Sequence, residues 1–273
     1  MSNLLRFIIL SLSVVTLLFS GFSTQAKDRR PPQSPAVQTP SKPRATPASL
    51  AREETLTYTA LLNELPAGEA ELRLHKEQQN GSEIYRVTGR ARTNEIIDYL
   101  YRMRGTVEGR FTVNGLAPLL FQLSYTDNGR PRELAVRYDA KTKTLQGSAK
   151  RKNKVAKRSV PATNVYDPST ALYRFRSTEL TPGKTFQVEV FTGKERYRVT
   201  VQVIGKENVQ LTSGERPAIR LHPIVFSVDD TPQKNLIPEE TTLWVATDAA
   251  HTPLKLESFL PIGQIVLELS NSS

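Results

Sequence analysis

The chain has 273 residues, 38% of them apolar, carries a net charge of +10 and contains no cysteine. That length supports one sizeable core or two small ones, and the missing cysteine excludes a disulfide framework, a lipid-modified cysteine, a thiol nucleophile and a zinc–thiolate site. The charge is uneven: residues 27–51 carry five cations against Asp28, residues 141–158 carry eight cations and no acid, and the rest of the domain is slightly acidic. Nucleic-acid binding wants a basic face built into the fold, so no nucleic-acid partner is expected.

Residues 1–26 read as a secretory signal peptide. Arg6 precedes an apolar run from Phe7 to Phe19, and small residues lead to Ala26, after which cleavage is expected. The run is short for a bilayer, which needs roughly 20 apolar residues; an uncleaved anchor extended by Gly21-Phe22 is the alternative. Residues 27–51 hold six prolines and no aromatic residue, a composition that cannot offset its ordering entropy and predicts a disordered basic spacer. Residues 52–273 are expected to form a single β domain.

From Leu56 onward the hydrophobic period is two. It recurs at Ala70-Leu72-Leu74, Tyr85-Val87, Leu119 to Tyr125, Leu134 to Tyr138, Phe186 to Val190, Tyr197 to Val203, Ile219-Leu221, Leu254-Leu256 and Ile265 to Leu269. Turn signals such as Asn80-Gly81, Asn114-Gly115 and Asp127-Asn128-Gly129 separate the runs. The pattern predicts an all-β fold: a curved antiparallel sheet, open barrel or sandwich of about a dozen strands with one or two short helices. Residues 94–102 break the period and read either as a short helix capped by Asn94 or as a wide strand crossing. A second break is clearer, since Asp167 is a strong N-cap and Pro168 suits the first helical position. Leu172, Phe175 and Arg176 follow at helical spacing, so this helix divides the strands into sets at about 55–163 and 184–270.

The only histidines, His75, His222 and His251, are far apart, and neither an H-E-x-x-H nor a G-x-S-x-G motif is present. No catalytic residue, metal site or cofactor is expected. A hydrolase acting on envelope glycan or peptide stays as an alternative, because a pair of catalytic carboxylates leaves no mark in one dimension. The strongest charge feature is Lys150, Arg151, Lys152, Lys154, Lys157 and Arg158. It reads either as a solvated hairpin whose lysines guard a sheet edge or as a contact for an anionic membrane surface.

Several short segments, in order, resemble an uncharacterised family of bacterial envelope proteins, the domain-of-unknown-function 3108 family. They include Tyr58 with Ala67-Gly68-Glu69-Ala70, then Asp167-Pro168 through Tyr173 and Arg176, then Gly183 and Gly214. Trp244, Asp248, Pro253 and Gly263 through Leu269 close the match. The resemblance implies a secreted periplasmic β protein and brings no activity with it. A curved sheet with few helices leaves an apolar concavity needing cover, so the leading expectation is a non-enzymatic periplasmic binding or accessory protein for an apolar or lipidic envelope component. An assembly protein that binds an envelope protein through a sheet edge is the rival.

Overall fold

Period-two alternation builds a long meander. The computed structural model describes residues 50–51, 53–230 and 234–273; the expected signal peptide, the expected cleavage site and the expected spacer up to residue 49 lie outside the described residues. Eight consecutive strands come first: β1 (Glu53–Leu62), β2 (Leu65–Gln79), β3 (Ser82–Thr93), β4 (Met103–Thr112), β5 (Pro118–Asp127), β6 (Arg130–Asp139), β7 (Thr144–Arg151) and β8 (Lys154–Pro161). Seven more follow: β9 (Val165–Tyr166), β10 (Thr185–Phe191), β11 (Arg196–Leu211), β12 (Gly214–Ser227), β13 (Thr242–Ala246), β14 (Pro253–Leu260) and β15 (Gly263–Ser272). Two helices interrupt them, α1 (Glu95–Asp98) between β3 and β4 and α2 (Pro168–Arg176) between β9 and β10.

All fifteen strands belong to one sheet, ordered from β8 back to β1, across to β15, and back again to β9. The first and last strands pair antiparallel, Tyr58 opposite Leu269 and Ala60 opposite Leu267. The free edges are therefore β8 and β9, neighbours in sequence, and the sheet curls into a nearly closed barrel. Every pairing is antiparallel except the two-residue match of β9 with β10. At the seam the two ends overlap. A Cβ on Gly147 of β7 would fall 2.5 Å from Gly193 Cα in the β10–β11 turn, and one on Gly193, whose φ is +99°, would fall 2.5 Å from Ala135 O. Only glycine allows that approach.

The strand count exceeds the dozen expected, and β4 shows why. Gly105 and Gly109 interrupt its apolar alternation, and Gly109 leaves space that Ser169 of α2 occupies: a Cβ there would lie 2.3 Å from Ser169 Oγ. The strands β9 and β13, two and five residues long, are too short to carry a period. The break at 94–102 resolves as the helix. Asn94 Oδ1 accepts the Ile97 N–H at 2.9 Å, Ile97 and Tyr101 turn inward, and Ile96, Tyr99 and Leu100 stay exposed. Leu50, placed by its sequence in the spacer, is buried in the domain core, its carbonyl 3.5 Å from the Tyr85 hydroxyl.

Candidate functional site

The concave face is covered by the chain's own helix. Asp167 caps α2, its carboxylate accepting the Thr170 N–H at 3.1 Å together with the Thr170 hydroxyl, and Pro168 supplies the first-turn φ. All of α2 except Arg174 is buried, so the helix is not an amphipathic lid: it sits in the barrel lumen. Leu172 and Tyr173 join the core of β2–β8, while Phe175 joins that of β1, β2 and β10–β15. Tyr173 packs on Phe111 at 5.3 Å between ring centres, Phe111 on Tyr85 at 5.5 Å, and Phe175 meets Phe186 edge-on at 5.5 Å. One helix thus binds both halves of the sheet.

Charge enters the lumen on the same helix. Arg176, 1% exposed, makes a two-pronged contact with the Glu54 carboxylate of β1, both bonds 2.7 Å, and its Nε donates to the Ala250 carbonyl at 3.1 Å. Its guanidinium lies 5.1 Å from the Tyr173 ring centre. Burial opposes its charge most strongly, but the Glu54 hydrogen bonds together with the charge interactions of Tyr173, Glu54 and Tyr58 hold its pKa above the usual arginine value. Burial pushes the Asp167 carboxyl up to about 6 despite its hydrogen bonds to Thr170 and nearby backbone, and it pushes the Tyr58 hydroxyl upward as well. Tyr58 donates to Pro253 O at 3.1 Å. His251, its pKa lowered by burial, has Nδ1 3.0 Å from the Arg176 carbonyl. The charged groups of this cluster meet dedicated partners, which is what burial of charge requires, whereas the buried Ser169 and Tyr173 hydroxyls on the same helix have no hydrogen-bond partner among the described residues.

Beside the cluster lies the residual cavity, about 50 Å³. Leu56, Tyr58, Met103, Val107 and Leu172 line it, and the small residues Ala70, Ala91 and Gly105, in register across β2, β3 and β4, hollow its wall. On the opposite face of the same strands runs a polar trough of about 700 Å³. Its charges are already matched across strands, Glu69 with Arg92 at 2.8 Å and Glu71 with Arg90 at 3.2 Å.

The six cations of the basic run do not act as one patch. Alternation puts Lys150 and Lys157 on one face of the β7–β8 hairpin, Arg151, Lys154 and Arg158 on the other, and Lys152 at the tip. Lys150 bonds Glu133 at 2.9 Å. Arg158 is a seam clasp: its two terminal nitrogens reach Asp229 at 2.7 and 2.9 Å, and one also meets the Lys194 carbonyl at 3.1 Å. Arg151, Lys152, Lys154 and Lys157 remain exposed, and those on β8 guard a strand that pairs only with β7.

The residues of the sequence resemblance have mainly structural work. Gly68 allows β3 to approach, since a Cβ would fall 2.4 Å from Arg92 O, and Gly183 and Gly214 take positive φ in turns. Trp244 Nε1 donates to Glu207 at 2.7 Å. Asp248 accepts the Ala250 N–H at 3.1 Å and so shapes the turn whose carbonyl receives Arg176. Pro253 receives Tyr58. Asp167, Pro168 and Tyr173 belong to α2. Glu54, 122 positions from Arg176, carried no signal that sequence reading could use. Among the described residues no group of three or more His, Asp and Glu could hold a metal ion, and no helix is long and apolar enough to cross a membrane.

The fold and the lumen define a class, the β-barrel-like meander plugged by an internal helix. The chain belongs to the family described as protein of unknown function DUF3108, whose sequence model matches residues 55–270. Among solved structures it is similar in fold to a β-barrel-like protein of domain of unknown function DUF1849 from Brucella abortus. That likeness has 9% identity and a TM-score of 0.51 over 81% of this chain and 97% of that one. Weaker likenesses reach a candidate exported protein with a YmcC-like fold from Bacteroides fragilis (8% identity, TM-score 0.35, 81% and 95% covered) and a candidate lipoprotein from Parabacteroides distasonis (7%, 0.33, 82% and 96%). No curated protein matches the chain.

Proposed function

We propose that this chain is a non-enzymatic accessory protein of the cell envelope, exported to the periplasm, which engages a lipidic envelope component through its outer surface and does not store lipid in its lumen. The observation that carries this reading is the position of α2. It joins both halves of the core and leaves a cavity of about 50 Å³, whereas sites for small-molecule ligands run to about 300–1,000 Å³. Export is supported by the Arg6–Ala26 pattern. The self-matched charges of the trough and the paired charges of the lumen favour a framework role for both. Native mass spectrometry of the mature chain, isolated from its own periplasm, tests the reading. The mass of the bare polypeptide is expected; one lipid retained per chain would place the ligand inside and overturn it.

A further inference from the structure

One end of the barrel gathers the β1–β2 turn, α1 and the β5–β6, β7–β8 and β14–β15 turns, and hydrogen bonds join them into a continuous arc. Asn63 donates through Nδ2 to Ile262 O at 3.1 Å and accepts the Gln264 N–H at 2.9 Å, tying the β1–β2 turn to the β14–β15 turn. The Asn94 N–H donates to Ala67 O at 3.0 Å, fixing α1 beside β2. Beyond α1, the Arg102 N–H donates to Asn128 Oδ1 at 3.0 Å and the Asn128 N–H returns to Arg102 O at 3.1 Å, which holds the β5–β6 turn. Register then places Arg132 beside Arg151 and Arg151 beside Lys154, so the basic hairpin tip continues the arc.

This arc carries the exposed oil of the molecule. Leu65, Ile96, Tyr99, Leu100, Val155 and Phe259 all lie at this end; Ile204 at the bulge of β11 is the one large apolar side chain exposed elsewhere among the described residues. Ile96, Tyr99 and Leu100, on α1 and the turn that follows it, are 75%, 93% and 76% exposed. The same arc carries exposed Arg102, Arg130, Lys150, Arg151, Lys152 and Lys154. Its exposed acids are Glu64, Glu95 and Glu133, the last paired with Lys150, while Asp98 is bound by Arg104 at 2.6 Å and Asp127 lies 3.9 Å from Arg132. The remaining part of the rim, the β10–β11 turn and the β12–β13 connection, exposes Asp229, Asp230, Glu239 and Glu240 against Lys194 and Lys234, and no large apolar side chain among its described residues. Oil and an excess of positive charge therefore share one side, and the other side has an excess of acids.

We propose that this arc docks on an anionic phospholipid bilayer. Ile96, Tyr99 and Leu100 enter the headgroup layer while Arg102, Arg130 and the hairpin tip meet lipid phosphates. Aromatic and aliphatic tips with flanking cations are the chemistry that seats a protein on such a surface, and a soluble apolar partner would not account for the segregated cations. The proposal rests on the surface-acting reading above and names its partner.

Flotation of the mature chain with phosphatidylcholine vesicles, with and without phosphatidylglycerol, is the test. The anionic vesicles are expected to bind about tenfold more protein, with the excess lost in high salt. The variant Ile96→Ser/Tyr99→Ser/Leu100→Ser and the variant Lys150→Gln/Arg151→Gln/Lys152→Gln/Lys154→Gln should each lose most of the excess. Both keep the basic spacer, so a difference from wild type comes from the arc, and an unchanged unfolding midpoint shows that the fold is intact. Equal binding to the two kinds of vesicle, or variants that float with wild type, would overturn the docking proposal. Either result leaves the empty-lumen reading to stand or fall on the native mass alone.

Discussion

In the lumen, α2 and its cap carry Arg176 and Asp167 into apolar surroundings, where Arg176 is met by Glu54 and Ala250 from distant parts of the chain and Asp167 by the first turn of its own helix. At the rim, Ile96, Tyr99 and Leu100 stand in water with nothing packed on them. The ordinary distribution, oil inside and charge outside, is locally reversed in both places, and the two reversals have different causes. The buried charges hold the helix in place, because Arg176 joins α2 to β1 through Glu54 and to the β13–β14 turn through Ala250 O. The exposed apolar groups hold nothing within the molecule.

That contrast makes stability the measurement that separates the regions. The largest effect is expected from Arg176→Met, which strands the Glu54 carboxylate in a buried site and should cost about 3–5 kcal/mol in urea unfolding. Adding Glu54→Leu should recover much of the loss, since an apolar pair of similar volume is tolerated where a lone charge is not. A single variant as stable as wild type would mean that water reaches the pair.

Asp167 comes next. Asp167→Ala should cost about 0.5–2 kcal/mol through loss of the cap, while Asp167→Asn keeps an acceptor for Thr170. Because burial raises the Asp167 pKa to about 6 from an ordinary 3.8, its contribution is fully present below the ordinary value and is lost as pH rises through about 6. Wild type should therefore gain stability relative to Asp167→Asn as pH falls across that window. Parallel pH profiles for the two proteins would show that Asp167 does not titrate there.

The smallest effects belong to the rim and the seam. The triple serine variant of α1 should stay within about 0.5 kcal/mol of wild type. Arg158→Gln, which breaks a half-exposed clasp to Asp229, should cost about 0.2–1 kcal/mol. A large loss from the α1 variant would show that Ile96, Tyr99 and Leu100 serve the fold, and would erase the contrast.

Much of the architecture could be read from residue order. Runs such as Phe186-Val188-Val190 fixed a face for each strand, and Asp167-Pro168 marked the start of α2. The position of α2 could not be read, because periodicity reports which sides of a helix are apolar and not which element meets them. Ser169, Thr170 and Arg176 make α2 look half polar until Gly109 and Glu54 are seen opposite them. The hairpin was within reach: its alternation already divides Lys150 from Arg151, and only Arg158's role at the seam needed the partner 71 positions away. The rim was beyond reach, since Leu65, Tyr99 and Phe259 are brought to one end by turns whose order around the barrel depends on β1 meeting β15.

The pairing of β1 with β15 also sets an order of events. The first strand finds its outer neighbour only when the last has emerged, with Leu56 opposite Ser272. Until then β1 offers a bare ladder of N–H and C=O groups to any extended chain nearby. Contacts spanning nearly the whole domain make such folding slow, so a chain crossing a membrane unfolded and N-terminus first would spend its most vulnerable interval with β1 exposed.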